Sequence, residues 1–148
     1  MNQENFTKAI ALIQDCEYER AANIFKQIDD ENNEFQSIAK HYLGWMHEQG
    51  LGLPQSNSLA FEYWCDAAQL GFLTSQEALA DCYLDGTGTH KNYVKALAWF
   101  LVVKFGDREN EMGPEIDSKI NQLRNSLSKD EIEKANDLVS SIRQAIVQ

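Results

Sequence analysis

Apolar residues recur three and four positions apart along nearly the whole chain, the spacing that gathers them on one side of an α-helix. In the last segment Ile132, Ala135, Leu138, Val139, Ile142 and Ile146 fall on a single such face. Ser128-Lys129-Asp130-Glu131 stands in front of it with the serine and glutamate of a capping box. The same reading predicts eight helices, near 3–15, 17–30, 34–49, 56–70, 73–85, 92–105, 114–126 and 129–146. No stretch alternates apolar and polar residues long enough to require a strand. Two prolines, Pro54 and Pro114, and eight glycines are too few for an all-β chain with many tight turns.

A repeat underlies the pattern. Leu43-Gly44-Trp45-Met46-His47-Glu48-Gln49-Gly50-Leu51-Gly52 aligns with Leu79-Ala80-Asp81-Cys82-Tyr83-Leu84-Asp85-Gly86-Thr87-Gly88 at an offset of 36 residues. The same offset sets Ser56 on Asn92, Ala60 on Ala96, Tyr63 on Trp99 and Trp64 on Phe100. A period of this length means stacked helical hairpins, each burying its open side on the next. Gly44 and Ala80 are small where two helices of a hairpin cross. Tyr63, Trp64, Trp99 and Phe100 are large enough to fill the spaces between hairpins. Ser56 and Asn92 are N-caps for the second helix of each pair. Gly50 and Gly86 stand just past the ends of first helices, where a left-handed residue is needed.

These residues resemble the Sel1-like repeat family, a relative of the tetratricopeptide repeats. Its pattern occurs twice: first as Leu43-Gly44, Gly50, Gly52, Ala60, Tyr63, Ala67-Ala68 and Gly71, then as Leu79-Ala80, Tyr83, Gly86, Gly88, Lys95-Ala96 and Trp99. His47 replaces the usual Tyr, Ser56 and Asn92 replace Asp, and Val103-Lys104 replaces Ala-Ala, so stacking beyond the second copy is expected to change. The resemblance implies an all-α, right-handed α/α solenoid. Its parts would be an N-terminal cap hairpin (1–33), repeats at 36–71 and 72–107, and capping helices over 108–148. It further implies that the first helix of each hairpin lines a concave groove. That places Ile38, His41, Trp45, Glu48 and Gln49 from one copy beside Glu77, Asp81, Leu84 and Asp85 from the next. Trp45 has Asp81 as its counterpart, so the repeat core does not demand an aromatic there. A groove tryptophan among acids suits an interface hot spot; packing on the N-terminal hairpin is the alternative.

Charge sharpens this picture. The net charge is −10, and between Gln27 and His90 ten acids face one base, Lys40. Such a surface keeps a protein soluble and also attracts a basic partner, while it disfavours direct binding to nucleic-acid phosphates. The apolar run Ala9 to Ile13 is too short for a signal segment, and no run approaches the roughly 18 apolar residues of a membrane span. Three cysteines, Cys16, Cys65 and Cys82, have no CxxC spacing and read as reduced thiols. The expectation is a cytoplasmic chain without a membrane partner.

Candidate chemistry is sparse. Gly86-Thr87-Gly88 lacks the spacing of either phosphate-binding glycine motif, follows no strand, and sits behind Asp85, which would repel a phosphate. His41 and His47 are six residues apart and do not share a helical face as a metal pair would. Glu62/Asp66 and Asp81/Asp85 are i,i+4 carboxylate pairs of the kind that line solvated faces. The sequence therefore predicts no cofactor, no metal and no catalysis. It predicts a protein-binding module, a scaffold or adaptor whose partner is basic. An immunity or inhibitor protein of bacterial type, neutralising a basic toxin or effector, is the closest alternative. A weak hydrolase or metal-dependent enzyme on the same scaffold is the distant one.

Overall fold

A computed structural model describes residues 2–147 as eight α-helices: α1 (Asn2–Gln14), α2 (Tyr18–Asp30), α3 (Gln36–Gln49), α4 (Asn57–Gln69), α5 (Leu73–Asp85), α6 (Tyr93–Gly106), α7 (Gly113–Ser126) and α8 (Lys129–Val147). Every expected helix is present, with ends within two residues of those read from spacing, and the described residues contain no strand. Helices α1/α2, α3/α4 and α5/α6 pair as hairpins, and α2 on α3 and α4 on α5 stack them into an α/α solenoid.

The caps follow local chemistry. Ser56 Oγ accepts from the Leu59 amide at 3.2 Å, and Asn92 Oδ1 accepts from the Lys95 amide at 3.0 Å. Each therefore satisfies an amide that the first helical turn leaves free. At α8 the Ser128 amide donates to Glu131 Oε2 and the Glu131 amide donates back to Ser128 Oγ, the reciprocal pair of a capping box. Asn92→Ala is expected to cost about 1 kcal/mol, and Asn92→Asp much less; the urea midpoint with an unchanged slope measures both.

The two turns after α3 and α5 repeat bond for bond. Gly50 and Gly86 are left-handed, with φ of 66° and 73°. The Leu51 amide donates to the Met46 carbonyl as the Thr87 amide donates to that of Cys82. The amides of Ser56 and Asn92 donate to the carbonyls of His47 and Tyr83, each at 2.9 Å. The second glycine of each turn is a contact point. A Cβ on Gly52 would lie 2.6 Å from the Glu19 amide nitrogen, and one on Gly88 would lie 2.8 Å from the Asn57 carbonyl carbon. Each turn thus rests on the first residues of the second helix in the preceding hairpin, which only a residue without a side chain allows.

Packing divides into three buried clusters. The N-terminal one joins α1, α2 and α3 through Leu12, Phe25, Ile28, Leu43 and Met46, with Phe25 stacked on Tyr42 at 4.9 Å. A small middle cluster holds Ala60, Trp64 and Cys82. The largest is built on α6, where every residue from Ala96 to Val103 is buried. A helix apolar on all sides must be covered on all sides: α5 covers one and α8 another. The apolar face of α8 does this with Ala135 and Val139 fully inside and Ile132, Leu138, Ile142 and Ile146 packed around them. After α6 the regular stacking changes: α8 takes the larger share of α6 and α7 a lesser one. This is where Val103-Lys104 replaces the small pair. Val103 is buried, and Lys104 turns outward to pair with Asp117 of α7.

Candidate functional site

A cleft of about 290 Å³ opens between α3 and α5. His41, Trp45 and Glu48 line it from α3, Ala78, Asp81, Cys82 and Asp85 from α5, and Trp64 and Thr87 close it. One helical face supplies each wall, since residues four and three or four apart stand above one another. The Trp64 indole is held by its Nε1–H, which donates to the His41 carbonyl at 3.3 Å. The ring occupies the space that a side chain at Gly44 would take, because a Cβ there would lie 2.6 Å from Nε1. The small residue at the helix crossing thus fits one particular indole, which helps to form the cleft.

Trp45 both packs on the N-terminal hairpin and lines the cleft. It packs against the N-terminal and middle clusters, is edge-on to Tyr42 at 6.4 Å, and remains half-buried with a surface lining the cleft. Glu48, Asp81 and Asp85 add three carboxylates. Asp81 is paired from outside its acidic segment: Lys119 of α7 donates to its Oδ1 at 2.9 Å. That nitrogen also lies 5.3 Å from the Phe100 ring centre and 3.3 Å from Glu115. Glu48 and Asp85 have no basic side chain within ion-pair distance among the described residues.

Four residues expected in the groove lie outside this cleft. Leu84 is half-buried and packs against the large cluster around α6. Glu77 is half-buried beside Asp81, and burial followed by that neighbouring charge raises its pKa. Gln49 is exposed and donates to Glu48 Oε2 at 3.1 Å, and Ile38 is half-buried elsewhere on α3. Conversely, Trp64, Ala78, Cys82 and Thr87 line the cleft without having been expected there. Ala78 and Cys82 share a face of α5 with Asp81 and Asp85, so their spacing carried the signal.

Two of the three histidines are built into the packing, while His90 is exposed. His41 Nδ1 lies 2.8 Å from Ser75 Oγ, tying α3 to the first turn of α5, and its ring sits 5.1 Å from that of Phe72. Burial lowers its pKa to about 4. His47 Nδ1–H donates to the Pro54 carbonyl at 2.9 Å, and its ring stacks on Tyr63 at 5.6 Å. Among the described residues no group of three or more His, Cys, Asp or Glu side chains is placed to hold a metal ion. All three thiols are free; burial pushes Cys65 up to about 11 and Cys82 up to about 12, far from a reactive thiolate. One member of each i,i+4 carboxylate pair is tied, Asp66 to Lys40, which also holds Asp29, and Asp81 to Lys119. Lys40, the one base among the ten acids of the middle segment, is held by Asp29 and Asp66 and does not line the cleft.

Residues 37–72 and 74–101 match the Sel1 repeat. Two solved structures share the fold. One is a protective antigen present in uropathogenic Escherichia coli strains that displays an SLR fold, with a TM-score of 0.82 over 99% of this chain at 20% identity. The other is a Sel1 repeat protein from Oxalobacter formigenes, with a TM-score of 0.68 over 93% of this chain at 22% identity. This chain spans 32% of the first and 55% of the second. No curated protein matches it. No helix among the described residues is long and apolar enough to cross a membrane.

Proposed function

We propose that the chain, which carries two Sel1 repeats within an α/α solenoid, is a non-enzymatic protein-interaction module that engages a basic partner through the α3–α5 cleft. Sel1 repeats generally serve as protein-interaction scaffolds. The observation that carries the reading here is the meeting of the half-buried Trp45 with Glu48, Asp81 and Asp85 around one cleft. An aromatic anchor inside a charged rim is the usual composition of a contact that is both strong and selective. The net charge of −10 adds long-range attraction that speeds encounter with a basic surface. The raised pKa values of the Cys65 and Cys82 thiols and the engagement of His41 and His47 in packing contacts support binding over chemistry.

The test uses Glu48→Lys/Asp85→Lys, which reverses charge at the two carboxylates without ion pairs and leaves the Asp81–Lys119 contact intact. Partners retained from lysate by the natural chain are purified and their dissociation constants measured by calorimetry at low and moderate salt. The expected partner is basic, binds at least about tenfold more weakly to the double variant, and weakens with salt. An acidic partner, or one indifferent to both changes, overturns the reading. A partner whose own activity falls on binding makes the module an inhibitor; unchanged activity makes it an adaptor.

A further inference from the structure

We infer that the α3–α5 cleft is a receptor for a single arginine side chain of the partner protein, with the guanidinium against Trp45 and its N–H groups donated to Glu48, Asp81 and Asp85. The inference rests on the proposed reading of a basic partner and narrows it to one side chain. The cleft volume of about 290 Å³ is at the lower limit of small-molecule pockets, enough for one long side chain and too little for a folded segment. Its floor and its rim differ in kind. The buried Trp64 and Cys82, with Ala78, offer an apolar surface for methylene groups, while Glu48, Asp81 and Asp85 stand more exposed on two helices.

Carboxylates alone would accept any cation, and it is the indole that separates arginine from lysine. A guanidinium is planar, stacks on an aromatic face and donates in two directions at once, whereas an ammonium is a compact, strongly hydrated point. Trp45 is set for this by its edge-on contact with Tyr42, and Glu48 of α3 faces Asp81 and Asp85 of α5 across the opening. Two groups could compete for the position. His41 is kept from doing so by its buried ring and its contact with Ser75. Lys119 reaches Asp81 from α7 through Oδ1, leaves Oδ2 open, and does not line the cleft.

The experiment follows the indole N–H resonances of Trp45, Trp64 and Trp99 while acetyl-Gly-Arg-Gly-amide is added to the whole chain. Parallel titrations use the lysine and citrulline peptides and free spermidine. The expected result is a saturable shift at Trp45 and Trp64 but not Trp99, with a dissociation constant on the order of millimolar. Lysine and spermidine should bind about tenfold more weakly, and citrulline should not bind measurably. Trp45→Ala should abolish the preference for arginine over lysine. Because that change also removes packing, Glu48→Gln/Asp85→Asn supplies the second arm, with an expected loss of about tenfold for both cationic peptides. Equal binding of lysine or spermidine overturns the arginine assignment and leaves the basic-partner reading standing. No response of the cleft to any cation overturns the assignment; if the purified partner also ignores Glu48→Lys/Asp85→Lys, the broader reading fails with it.

Discussion

Gly88→Ala is expected to destabilise the chain by about 4 kcal/mol, with a fall in the thermal midpoint of roughly 10 °C. Two costs combine. Gly88 has a φ of 73°, where an L residue costs about 1–2 kcal/mol. Its Cβ would also overlap the Asn57 carbonyl, lying 2.8 Å from the carbon and closer still to the oxygen, and 3.0 Å from the Phe61 Cβ. Backbone cannot swing away as a side-chain tip can, so the hairpins must part slightly, at a further cost of about 1–3 kcal/mol. Two other glycines separate these effects. Gly86 has the same φ, but its Cβ would meet the flexible Lys91 side chain at 2.8 Å, so Gly86→Ala should cost about 2 kcal/mol. Gly113 has a φ of 38° and nothing within 4 Å, so Gly113→Ala should cost about 1 kcal/mol. Urea denaturation of the three variants should therefore rank them Gly88, Gly86, Gly113. A Gly88 variant no worse than the Gly113 variant would show that the turn does not bear on α4.

Acid should weaken the fold before its carboxylates do. His41 is neutral in the folded chain down to about pH 4, because burial holds its pKa there, while in the unfolded chain it takes up a proton near its ordinary value of 6.5. Between these values the unfolded chain binds more protons, so stability is complete above pH 6.5, is lost as pH falls, and levels off below about 4. The full effect is about 3 kcal/mol. Glu77 works in the opposite direction: its raised pKa makes the folded chain the better proton acceptor in the carboxylate range. The informative quantity is thus the difference between the natural chain and His41→Gln. Chemical denaturation at pH 7.0, 6.0 and 5.0 should show a decline in the natural chain that is largely absent from the variant. Parallel lines for the two proteins would refute the assignment to His41.

The helices were legible because their signals are local. Ser56, Asn92 and Ser128 each act on an amide three residues away, and Gly50 and Gly86 act on the turn they stand in. The repeat extended that legibility to hairpin pairing, since Gly44 and Ala80 mark crossings at the same offset. The cleft was less so. Helical spacing tells which face a residue is on, but not how far along that face the neighbouring helix lies. Hence His41, Trp45, Glu48, Asp81 and Asp85 meet in one place, while Ile38, Gln49, Glu77 and Leu84, from the same helices, do not. Trp64 was recognised as packing, yet its presence in the cleft depends on Gly44 allowing the ring across. The Asp81–Lys119 pair joins residues 38 positions apart through a cap that does not follow the repeat, and no periodicity could announce it.

The middle cluster of Ala60, Trp64 and Cys82 has a mechanical meaning. Trp45 belongs both to it and to the N-terminal core, and Phe61 both to it and to the core around α6, so these few side chains form a seam between two larger blocks. The cleft lies on that seam, with α3 of one block on one side and α5 of the other opposite. A side chain seated in it would rest on helices of both blocks, like a dowel across the seam.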